Sequence, residues 1–93
     1  MPKNSFGSFP LFLRERRLAA GLSQGDVAKK LGYGSPQFVS NWERGLSLPP
    51  IESLREVAVM YNVPEEEMLR KMIDITVEKL RGEMKEKFRS NVK

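Results

Sequence analysis

Residues 23–45, SQGDVAKKLGYGSPQFVSNWERG, decide how this chain folds. The stretch divides at Gly32-Tyr33-Gly34. Before that point, Val27, Ala28 and Leu31 recur at the spacing of one helical face. Ser23 stands just ahead of the face, and Asp26 follows three residues later. In that arrangement a hydroxyl and a carboxylate cap each other's backbone N–H groups. After the division, Ser35 is placed to cap a second helix, with Pro36 in its first turn, where a missing N–H does no harm. Two glycines within three residues permit a sharp reversal with positive φ. The expectation is two short helices joined by a tight turn.

The second helix, read as 36–44, has two unlike sides. At about 100° per residue, Val39, Trp42 and Glu43 share one side. Gln37, Asn41 and Arg44 share the other, flanked by Ser40 and Phe38. Every residue of that outer trio donates hydrogen bonds. A merely solvated helix more usually shows Glu and Lys. Gln and Asn can pair with adenine in the major groove, and Arg with guanine or phosphate. Phe38 has two readings, packing on a thymine methyl or packing on the turn. Lys29 and Lys30 lie outside the apolar stripe of the first helix, either as solvated surface or as phosphate contacts.

Working outward, a helix over 10–20 precedes the stretch, opened by Pro10 and stopped by Gly21. Phe9, Leu13 and Arg17 fall four residues apart on one face of it. An arginine among core positions needs a partner, because an unpaired buried charge is costly. Residues 1–8 read as a flexible N-terminal arm carrying Lys3. Downstream, a helix over 51–61 is expected to bury Ile51, Leu54, Val57, Ala58 and Tyr61, with Asn62 ending it. Pro64 opens the last helix, and Glu65, Glu66 and Glu67 sit at the positive end of its dipole. Its apolar positions run on through Ile73, Val77, Leu80, Met84 and Phe88, close to a two-heptad seam. A helix over 64–88 is roughly 37 Å long, more than so small a domain can cover. It either folds back over the core or joins two copies; the second reading is preferred. Gly82 weakens it by about 1 kcal/mol, with fraying expected beyond.

Composition narrows the function. Ninety-three residues, 40% of them hydrophobic, suit one domain with a small core. There is no cysteine and no histidine. The commonest general base and metal ligand is therefore absent, along with every thiol. No nucleophile–base pair, phosphate-binding glycine loop or metal-ligand spacing stands out. The chain reads as a non-enzyme without a cofactor. Net charge is +4, permissive of a nucleic-acid partner. Most of the excess lies in residues 1–64, where eight Lys and Arg face five Asp and Glu. No apolar run approaches the roughly 20 residues of a membrane span, and the N-terminus lacks signal-peptide order. A cytoplasmic location without a membrane partner is expected.

The order helix, Ser23-Gln24, Ala28, Leu31-Gly32, turn, Val39-Ser40, Trp42-Glu43-Arg44-Gly45, helix closely resembles the lambda-repressor-like DNA-binding family, the Cro/repressor or XRE-type helix-turn-helix proteins. The likeness covers about Phe9 to Leu69. It implies an all-α, five-helix domain, here with an extended C-terminal helix. Residues 1–8 would be the arm, 9–69 the helix-turn-helix domain and 70–93 the extension. It implies that Arg17 pairs with Glu43. It also implies that Gln24 and Ser35 lie at the DNA backbone and that Gln37, Phe38, Asn41 and Arg44 lie in the major groove. Ser40 flanks them. Two departures stand out. The turn is one residue longer than the usual pattern, assigned to Gly34. Pro36 falls where the family often has a polar base-reading residue. The expected function is a sequence-specific transcriptional regulator, a repressor. It would bind double-stranded DNA as a homodimer on a two-part operator, joined through Ile73, Val77, Leu80, Met84 and Phe88. The alternative is an antitoxin or protein-interaction module whose last helix docks a partner protein.

Overall fold

The computed structural model describes residues 6–91. Five helices follow in order: α1 Phe9–Ala19, α2 Gln24–Lys30, α3 Gln37–Glu43, α4 Ile51–Met60 and α5 Glu65–Ser90. No strand occurs among the described residues. The all-α, five-helix architecture with a long last helix is as expected. The reading of the N-terminal arm at 1–5, Lys3 included, lies outside the described residues.

The first four helices stop in the same way. The residue after the C-cap turns left-handed, and the next N–H reaches back to a carbonyl five residues earlier. At the end of α2 this residue is Gly32, with φ +80°, and Tyr33 N donates to Ala28 O at 2.9 Å. A side chain at such a φ is strained, which is why glycine stands there. At the end of α4 the same place is taken by Asn62, with φ +56°. Asparagine is the non-glycine residue that tolerates this region best. The start of α2 is equally local. Asp26 N donates to Ser23 Oγ and Ser23 N to Asp26 Oδ2, both at 2.9 Å.

The core draws from every helix: Phe9 and Leu13, Val27 and Ala28, Val39 and Trp42, Leu54, Val57 and Ala58, then Tyr61, Val63 and Met68. Ala28 is fully enclosed, and its small size lets α2 and α3 pack closely. The helix faces read from periodicity are those buried, with one exception. Ile51, assigned to the buried face of α4, is 57% exposed. It lies in the first turn, beside the cleft between α4 and α5, where no described residue covers it.

Other boundaries shift for physical reasons. Ser35 does not cap α3. Pro36 is the N-cap residue, its carbonyl accepting from Ser40 N at 2.9 Å, and Ser35 Oγ reaches Gln37 N only at 3.4 Å. The helix thus begins one residue later than the Ser-Pro pair suggests. Gly34 is not among the residues with positive φ, so Gly32 alone makes the left-handed reversal. The packed body begins before Phe9, because Phe6 is buried and its carbonyl accepts from Phe9 N at 3.2 Å. The body also extends past Leu69: Met72 and Ile75 pack against the core, and Lys71 Nζ lies 4.6 Å from the centre of the Phe12 ring. Finally, α5 passes Gly82 without a break and reaches Ser90.

Candidate nucleic-acid interface

The base of the interface is a buried ion pair. Arg17 Nε donates to Glu43 Oε2 at 2.6 Å, and a second guanidinium nitrogen donates to Oε1 at 3.0 Å. A third donates to the Leu22 carbonyl at 2.8 Å. The two side chains are 8% and 3% exposed. This planar fork is the geometry that arginine supplies and lysine does not. The bonds to Glu43 outweigh the cost of burial and hold the Arg17 pKa above its ordinary value. The pair ties the C-terminal end of α3 to α1 and fixes how α3 lies on the body.

Gln24 joins the same group. Its amide donates to Glu43 Oε1 at 3.0 Å. The side chain expected at a DNA backbone is therefore half-buried and committed through one of its N–H bonds. Its second amide N–H takes no part in that bond.

The outer side of α3 is a connected set. Asn41 Oδ1 accepts from Gln37 Nε2 at 3.0 Å and from Arg44 at 2.8 Å. One carbonyl oxygen thereby orients the two longer side chains on either side of it. Beyond these bonds Gln37 has its own carbonyl and one N–H, Asn41 its amide NH2, and Arg44 its remaining donors. Beneath this surface Val39 and Trp42 are enclosed, so the helix is held from below while its outer face stays open. Ser40 is half-buried at the edge of that face, and Ser35 is exposed ahead of the helix.

Phe38 takes the second of its two readings, packing on the turn. Its ring lies 5.0 Å from that of Tyr33, on the turn, yet the residue is 55% exposed. Tyr33 itself was given no role by the sequence. It packs edge-on against Trp42 at 6.1 Å, and its hydroxyl is 3.2 Å from Ser53 Oγ on α4. An aromatic residue between two glycines was the available signal. Its contacts hold the turn against α3 and α4.

Lys29 and Lys30 are exposed on the last turn of α2. No ion pair of theirs occurs among the described residues, although their charges help to lower the Asp26 pKa. The strongest cause of that lowering is the hydrogen bond from the Ser23 backbone. The five seam residues of α5 form an exposed apolar stripe: Ile73 50%, Val77 45%, Leu80 54%, Met84 62% and Phe88 76%. Among the described residues no helix is long and apolar enough to cross a membrane.

The helix-turn-helix family model matches residues 13–68, more than half of the chain. No curated protein and no solved structure matches it. The matched segment runs from Leu13 in α1 to Met68 in α5 and contains the α2–turn–α3 unit with its buried pair. The chain belongs to the helix-turn-helix family of XRE, lambda-repressor-like DNA-binding domains.

Proposed function

We propose that the protein is a sequence-specific transcriptional repressor that lays α3 in the major groove of double-stranded DNA. The observation that carries this reading is the outer face of α3. Gln37, Asn41 and Arg44 are joined by hydrogen bonds, with Gln37 and Arg44 exposed, Asn41 half-buried between them, and Val39 and Trp42 enclosed beneath. Side chains ordered before binding lose less entropy on contact. Gln37 offers a donor and an acceptor to adenine, and Arg44 offers donors to guanine or phosphate. Phe38, steadied by Tyr33, presents a ring edge to a thymine methyl. Lys29, Lys30, Ser35 and Gln24 serve the phosphates, which position the domain without reading sequence.

One seven-residue helix reads only a few base pairs. Useful specificity then needs two copies on a two-part operator, with half-site centres about 34–36 Å apart. The apolar stripe of α5 supplies the contact for a homodimer acting in the cytoplasm. The same stripe supports a rival reading, in which the protein is an antitoxin or adaptor and α5 docks a different protein. Two measurements test the repressor reading. Sedimentation velocity should give twice the chain mass, and random duplex DNA should shift in mobility at low salt. A monomer that shifts no DNA would sink the repressor reading and favour the adaptor.

A further inference from the structure

The stripe on α5 points away from the body. Met68, Met72 and Ile75 pack inward, and Ile73, Val77, Leu80 and Met84 occupy the opposite side. In heptad terms Ile73 and Leu80 take one core position (d) and Val77 and Met84 the other (a). Along one edge of this seam lie Asp74, Arg81 and Phe88, and along the other Thr76 and Glu83. Arg81 meets Glu78 of its own helix at 3.1 Å, and Glu83 is held by Lys79. Asp74 is exposed and is in none of the ion pairs among the described residues.

This distribution distinguishes the two ways a second copy can lie. In a parallel pair, each edge faces the opposite edge of its neighbour. Thr76 would then meet Arg81, and Glu83 would meet Phe88, giving no pair of opposite charges. The core positions do not decide, because Val77 and Leu80 suit a parallel pair and Ile73 does not. In an antiparallel pair, like edges face each other in reverse. Asp74 then meets Arg81 of the second copy, and symmetry makes this contact twice. The core layers become Ile73 on Met84 and Val77 on Leu80, a short side chain against a long one in each case. Arg70 and Lys87 bound the seam in both arrangements and do not discriminate.

We propose that α5 pairs antiparallel with α5 of a second copy, Val77 and Leu80 forming the central layers and Asp74–Arg81 contacts flanking them. This rests on the homodimer reading above and adds its direction and register. The seam centre lies between 78 and 79, so the N-terminal ends of the two α5 helices stand about 40 Å apart at 1.5 Å per residue. That is the scale of one turn of DNA, which suits a two-part site.

The chain has no cysteine, so single substitutions report without background. Ile73→Cys and Met84→Cys chains are prepared separately, mixed as full-length proteins, and oxidised with oxidised glutathione. The antiparallel pair gives a disulfide-linked dimer in the mixture and none in either variant alone, because each cysteine lies about 16 Å along the axis from its own copy. Disulfides in each variant alone would overturn the antiparallel direction and leave the homodimer reading intact. A monomeric parent chain in sedimentation would overturn both. The charge arm is independent of cysteine geometry. Asp74→Arg should weaken dimerisation about tenfold, and adding Arg81→Asp should restore it. Failure of the reversed pair to restore the dimer, with helix content unchanged, would contradict the register.

Discussion

Replacing Arg17 by methionine tests the buried pair on which the placement of α3 depends. Methionine keeps most of the aliphatic length, so the change is mainly electrical. It leaves the Glu43 carboxylate, 3% exposed, with a single side-chain donor from Gln24 at 3.0 Å. It also strips the Leu22 carbonyl of its bond to Arg17. Removing one partner of a buried pair costs about 3–5 kcal/mol. The surviving Gln24 bond places this case near about 3 kcal/mol, out of about 5–15 for a small domain. Melting should fall by roughly 12–24 °C at about 4–8 °C per kcal/mol. The assay is urea unfolding followed by Trp42 fluorescence, with the denaturant slope unchanged. Adding Glu43→Leu should recover much of the loss, because the stranded charge is then gone. A cost under about 1 kcal/mol for Arg17→Met, or a double variant no better than the single, would refute the reasoning.

Other outcomes follow from individual groups. Lys29→Ala should weaken binding to all duplexes alike and reduce the slope of log affinity against log salt by about 1, as titrations at several salt concentrations would show. The Tyr61 hydroxyl is buried with no hydrogen-bond partner among the described residues, and burial raises its pKa far above the usual value. Tyr61→Phe should therefore leave stability unchanged or raise it by about 1 kcal/mol in the same unfolding assay. The Asp26 carboxyl is held below its ordinary 3.8 in the folded chain. A depressed carboxyl stabilises the fold above its unfolded value, and that contribution is lost as pH falls through the folded one. The stability gap between parent and Asp26→Asn should thus be constant near neutrality and close in acid; a gap that widened in acid would reverse the sign. Leu80→Glu should give a folded monomer by sedimentation.

Much of the fold was legible because its signals are local. The Ser23–Asp26 box and the stops at Gly21 and Asn62 each act within a few residues, and periodicity then identifies the buried faces. What was misread depends on partners that local spacing does not specify. Ser35 and Pro36 both qualify as helix starters, and only the path of the lengthened turn decides between them. Ile51 keeps the helical period but lies where no neighbour covers it. Phe6 looked like part of a loose arm until α5 supplied a surface. At the candidate site, the outward trio was readable from angle alone. The bond from Gln24 to Glu43 was not, because it spans 19 residues of sequence and requires α2 and α3 to be packed first. The sharing of Asn41 Oδ1 was hidden for a different reason: neighbours on one face can hydrogen-bond to each other or to solvent, and spacing does not say which.

The central claim is that the outer face of α3 reads base edges. Its most direct measurement is the base preference at each position of the bound site, selected from a random duplex pool by the parent chain and by Gln37→Ala. The account predicts two half-sites for the parent and, for Gln37→Ala, lost preference at one matching position in each half-site, worth about 1–3 kcal/mol, with the other positions unchanged. Identical preferences and equal affinity for the two chains would contradict it.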